Sequence, residues 1–247
     1  MIQRGAWSFV DNADDDNIIA VAITMKQEDQ LLIQSLDKRF GKLRQFVPAL
    51  EQCSALEAWH ANVVGAIALR ARLNFHHLKN AAGANYEYLG WCSRNLLELL
   101  IWALYATTSK ENARRLFEDY IIDTEDLIKK LRDLLHAVPT EPHADVAHHL
   151  EVLANQEEVL VQERTQSRLS PQSKYLDVGR VAKEVGMEVR FSSINRILSK
   201  VAHPTSLSIL LVLPADSDAG LRTFMLRMGL ISAKDCLDVM CEYFDRL

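Results

Sequence analysis

Two residues seven positions apart carry the sharpest chemical suggestion in this chain. Arg196 and His203, in the run NRILSKVAHPTS, are separated by almost two helical turns. On a helix they project from one stripe, roughly 10 Å apart along the axis. Ser199 and Lys200 occupy the turn between them. His203 would close that helix just before Pro204, and a helix C-terminus favours the protonated imidazole. A histidine that changes charge near neutral pH, beside two fixed cations, suits proton transfer at a phosphodiester. The plainer alternative is a histidine that caps a helix halted by proline.

A second constellation lies in GWCSRNLLELLIWALY. Arg94 and Glu98 are four apart, so they share a helix face and can pair. Trp91, Trp102 and Tyr105 fall on the same face, which predicts poor hydration and mutual compensation of the two charges. The pair then either fixes helix register or forms a site wall in which Arg94 binds an anion. Glu57 and His60 give one Glu-x-x-His, the form used by di-iron bundles, but such a centre needs a second copy and two further carboxylates. The chain has no second copy, so no metal and no other cofactor is expected, and a ferritin-like metal protein stands last among the alternatives. Arg70, Arg72, His76 and His77 offer several accidental pairings and read best as a solvated basic stripe. There is no GxSxG elbow, no lysine-bearing phosphate loop and no GxGxxG.

These residues need helices to position them, and the apolar spacing supplies them. Helical periodicity runs from Gln27 to about Gln52, with Pro48 as a point of kinking or splitting. Ser54 with Glu57 reads as a capping box for a helix to about Asn80, and Gly83 marks a turn. Further helices are expected over Tyr86–Thr107, from Ser109 towards Val138, and over His143–Arg164. A short one spans Val178–Val185 and stops at Gly186; another covers Phe191–Ala202. Asp218 caps the last, to Arg246, whose apolar stripe holds Leu221, Phe224, Met225, Met228, Ile231, Leu237 and Phe244. Residues 208–213, SILLVL, fit a short strand or buried structure equally well. The expectation is an all-α chain: a loose acidic segment over 1–16, then a single bundle of about seven helices over 17–247.

Bulk properties narrow the class. With 247 residues, 49% hydrophobic and 25% charged, the chain can bury a substantial core. A net charge of −5 disfavours a non-specific nucleic-acid coat protein but leaves room for a local basic groove. Residues 141–167 hold six acids against Arg164, while 171–205 hold six bases against Asp177, Glu184 and Glu188. These blocks either pair or face water, or the later one meets a phosphate-bearing ligand. The four cysteines form no CxxC pair, and no apolar run reaches the roughly 20 residues of a membrane span. Asp14, Asp15 and Asp16 stand where an export signal would place positive charge. A cytoplasmic location is expected.

The segments Arg94-Asn-Leu-Leu-Glu98 and Leu198-Ser-Lys-Val-Ala-His203-Pro-Thr resemble a group of uncharacterised bacterial helical proteins with an Arg-x3-Glu helix and a later Ser-x3-His-Pro segment. The resemblance covers roughly residues 85–210. The Arg196-x6-His203 spacing also resembles the signature of the HEPN superfamily (higher eukaryotes and prokaryotes nucleotide-binding). That resemblance implies a helical bundle, often a homodimer, of toxin, RNA-processing or phage-defence type. In active members it implies metal-independent RNA cleavage, with Arg196 steadying the phosphate and His203 moving the proton, from two motifs meeting across the dimer. Arg94, Glu98, Ser199 and Lys200 would then be substrate-binding residues. One departure stands out: Ile197 follows the arginine, where those motifs place a polar residue. The contrasting expectation is a non-catalytic interaction module that uses the apolar stripe of the last helix as its partner surface.

Overall fold

One helix of this chain is apolar nearly all round, and such a helix must sit inside other helices. It is the segment around Leu89, Leu96, Leu97, Leu100, Ile101 and Tyr105, all at most 2% exposed. A computed structural model of the chain describes residues 26–50, 56–83, 86–137, 144–166, 175–202 and 215–247. Its elements there are eight α-helices: α1 (Gln27–Leu50), α2 (Ala58–Ala81), α3 (Tyr86–Thr108), α4 (Lys110–Ala137), α5 (Ala144–Gln166), α6 (Val178–Glu184), α7 (Glu188–Ala202) and α8 (Ala215–Phe244). The apolar helix is α3, and α2, α4, α6, α7 and α8 all pack on it. The all-α bundle read from the sequence is therefore the fold.

Small residues set how closely the partners approach. A Cβ on Gly90 of α3 would lie 3.1 Å from Val201 of α7 and 3.2 Å from Met225 of α8. A Cβ on Gly229 of α8 would lie 2.7 Å from a methyl of Leu78 on α2 and 2.8 Å from Ser93 Oγ on α3. Ser93, wholly buried, donates its hydroxyl to the Met225 carbonyl at 2.8 Å. Paired contacts give the helix directions. Asn74 with Asn95 and His77 with Tyr88 make α2 antiparallel to α3. Ser93 with Met225 and Leu99 with Cys236 make α8 parallel to α3.

The outer helices are tied by charge as well as by rings. In α1, Phe40 stacks on Phe75 of α2 at 5.1 Å and Asp37 pairs with Lys79. Arg39 and Asp29 reach α8 at Asp238 and Arg227. On α4 and α5, Arg132 meets Glu157 and Glu125 meets Arg164, which fixes an antiparallel hairpin. The only substantial packing of α5 is on α4, with Leu160 its one buried residue among those described.

Several expectations need correction. The described residues hold eight helices, one for each of the segments marked out by the spacing and one more than the count of about seven; Asp177 caps the short α6 and Gly186, at φ +73°, follows it as expected. Glu57 does not sit in the first turn of α2. It is the extended residue before it, with its carboxylate bonded to Lys110 and Trp59. No capping box through Glu57 forms, and Ser54 lies outside the described residues. The helix α1 runs past Pro48 to Leu50. Both α7 and α8 begin about a turn early, so Asp218 lies inside α8 and does not cap it. Most of the α8 stripe packs inside the monomer, with Met225 and Leu237 fully buried and Leu221, Phe224 and Phe244 against the same core, whereas Ile231 stays 38% exposed. Cys92 and Cys236 are buried and Cys241 is half-buried. Residues 1–16 and 208–213 lie outside the described residues. Among those described, no helix is long and apolar enough to cross a membrane.

Candidate functional site

The residues of α7 divide by helical period. Phe191, Ile194, Leu198 and Val201 recur at three- and four-residue steps and face the core, Leu198 with no exposed surface. That seating turns Arg196, Ile197 and Lys200 outward, Ile197 with 43% of its surface exposed. Ser199, between the two faces, bonds through Oγ to Asn195 Oδ1 at 3.3 Å. Early in α7, Arg190 is held by Asp235 of α8 at 2.7 Å. Arg196 has no ion-pair partner among the described residues. His203, the other half of the predicted pair, lies outside the described residues.

Arg94 and Glu98 meet on α3 as expected, Nε to Oε1 at 2.9 Å, but each side chain keeps about a quarter of its surface exposed. The face around them is not uniformly dry. Trp91 is 43% exposed and stacked on Tyr88, Trp102 is half-buried, and Tyr105 is wholly buried among Leu97, Ile101, Val181 and Phe191. The structure thus joins Arg94 to Glu98, and sets Arg196, Ser199 and Lys200 on one helix. Those two helices, α3 and α7, pack directly on each other.

The other constellations come apart. His60 is 6% exposed, and its Nε2 meets the Tyr243 hydroxyl at 3.1 Å, while Glu57 bonds to Lys110. Burial, and next Lys110, push its pKa below the ordinary histidine value, against the pull of Glu57. No group of three or more metal-ligating side chains converges among the described residues. His77 bonds the Tyr88 hydroxyl at 2.9 Å, while Arg72 and His76 line a cleft beside Phe40 of α1. The acidic and basic blocks do not pair with each other among the described residues. Glu157 and Arg164 bond to α4, and Arg190 bonds to α8.

Sequence reasoning missed one feature. A groove of about 580 Å³ opens between α2, α4 and α5, walled by Val63, Ala66, Ile67 and Leu116 and by the rings of Trp102, Phe117 and Tyr120. Three carboxylates, Asp119, Asp123 and Glu163, line it. The available signal was Asp119 itself, an acid set between Phe117 and Ile121 on the core stripe of α4.

Comparisons with family profiles, with curated proteins and with solved structures find no match for this chain.

Proposed function

We propose that the chain is a HEPN-like RNA- or nucleotide-binding protein, acting as a homodimer and, in its active form, as a metal-independent ribonuclease. One observation carries the reading. On α7, the helix that runs towards His203, Arg196 is exposed and has no carboxylate partner among the described residues, while Arg190 of the same helix is locked to Asp235. A phosphate group is the ligand such an arginine suits best, through its planar fork of donors. Lys200, one turn on and exposed, adds positive field on the same face. The Arg94–Glu98 helix packs against α7 and supplies its rigid support.

Neutral His203 takes the proton of a ribose 2′-hydroxyl, whose oxygen attacks the adjacent phosphorus. Arg196 neutralises the charge gathering on the non-bridging oxygens. The 5′-oxygen leaves and takes the proton back from the imidazolium so formed, giving a 2′,3′-cyclic phosphate and a free 5′-hydroxyl.

The test is cleavage of single-stranded RNA in EDTA by the wild type beside His203→Ala and Arg196→Ala, with helicity checked by circular dichroism. Loss of about 10²-fold or more in both variants supports the reading; undiminished cleavage in both sinks it. If the folded wild type cleaves nothing, RNA binding at graded salt decides between a binding protein and none, since phosphate contacts weaken steeply with salt.

A second reading has its own support. Leu127, Leu131 and Leu134 on α4, and Val152, Val159 and Val161 on α5, are between 39% and 57% exposed. That hairpin, not the α8 stripe, is where a non-catalytic interaction module would meet a helical partner.

A further inference from the structure

The groove between α2, α4 and α5 has a chemistry of its own. Its volume, about 580 Å³, falls in the range of small-molecule sites. Its lining combines two features: three aromatic rings, and three carboxylates with no Lys, Arg or His among the described lining residues. The carboxylates are not an ordinary solvated face. Asp119 is only 7% exposed. One of its oxygens accepts the Leu176 amide at 2.6 Å, and the other has no partner among the described residues. Glu163 presents an oxygen, Oε2, that is buried and without a hydrogen-bond partner among the described residues.

A buried carboxylate oxygen with no donor is costly, so it calls for an ordered water, an ion or a cationic ligand to meet it. A hard divalent cation is a poor candidate, since the groove offers mostly apolar walls and no convergent set of three ligands forms among the described residues. A cation carried on an apolar body fits both features. Its charge meets Asp119 and Glu163, and its body and onium face meet Trp102, Phe117 and Tyr120, rings whose faces attract positive charge. Phe117 and Tyr120 are already stacked, centroids 6.0 Å apart, and present one continuous aromatic wall.

We infer that this groove is a binding site for a small organic ammonium ion with an apolar body, held by Asp119 and Glu163 against Trp102, Phe117 and Tyr120. The site shares no residue with the α7 face and stands whether or not the chain handles RNA. Asp123, at the more exposed end of the lining, adds field.

The experiment is isothermal titration calorimetry on the full chain with three probes: 2-phenylethylamine, n-hexylamine and benzyltrimethylammonium. The neutral analogue 2-phenylethanol and magnesium chloride serve as controls. The expected result is saturable one-to-one binding of at least one ammonium probe, with 2-phenylethanol and magnesium each weaker by roughly tenfold or more. Glu163→Gln and Asp119→Asn are each expected to weaken that probe by a similar factor, while Arg196→Ala leaves it unchanged. Asparagine keeps an acceptor for the Leu176 amide; should Asp119→Asn nonetheless misfold by circular dichroism, Glu163→Gln carries the test. Failure of all three ammonium probes to saturate at millimolar concentration overturns the proposal. So does alcohol binding equal to amine binding, or ammonium binding unaffected by the folded carboxylate variants.

Discussion

His60 sits where a positive charge is expensive. Its pKa is lowered first by burial, then by Lys110, and only partly restored by Glu57. Because the unfolded chain binds this proton more readily, His60 contributes stability that is present above the unfolded value and lost as pH falls through the lowered folded value. Denaturant midpoints at about pH 5 and pH 7.5 should therefore differ more for the wild type than for His60→Gln, which keeps a partner for Tyr243 without titrating. Burial lifts the Cys92 thiol to about 11 and Cys236 to about 12. Both should resist a thiol reagent at neutral pH until the chain unfolds, which a reagent count with and without denaturant measures. Gly229→Ala should cost about 1–3 kcal/mol, since its methyl would meet wholly buried Leu78 and Ser93. Gly90→Ala, with contacts of 3.1 and 3.2 Å, should cost less. Thermal melts of the pair rank them.

Among the elements, α7 offers the cleanest contrast. Leu198→Ala should lower stability by about 2–5 kcal/mol, because the side chain has no exposed surface. Ile197→Ser, one residue earlier and outward-facing, should change it by about 0.5 kcal/mol or less. Equal losses in the two variants would contradict the rotation of α7 that turns Arg196 outward. That rotation was legible in the sequence, since Phe191, Ile194, Leu198 and Val201 keep helical spacing whatever they pack against. The helices themselves were legible for the same reason, with ends displaced by about a turn where caps were misassigned. Asp218 looked like a cap, but α8 starts earlier, and Glu57 looked like the end of a capping box because its distant partner Lys110 is invisible to local pattern. The groove was not legible. Its lining comes from four helices, and nothing in the spacing of Asp119 and Glu163 says that α4 and α5 fold back antiparallel to bring them together. The destination of the α8 stripe was equally closed to local reading, because an apolar face looks the same whether its own chain or another covers it.

At the scale of the molecule, α1 and α8 close the described chain on itself through Arg39–Asp238 and Arg227–Asp29, roughly 200 residues apart in sequence. The hub helix α3 is covered by five others, whereas α5 leans on α4 with a single buried leucine among its described side chains. That asymmetry has a consequence for when backbone amides meet solvent. Those of α3 should exchange hydrogen for deuterium only through global unfolding, while those of α5 should exchange earlier, through an opening that detaches the second arm of the hairpin and leaves the rest folded. Glu163 travels with that arm, so the opening also dismantles the groove. An ammonium ligand that binds only the assembled groove must then slow exchange in α5 by its occupancy while leaving α3 nearly untouched until the global limit is reached. The time course of deuterium uptake would thereby report occupancy of the groove from a helix that contributes a single described residue to its lining.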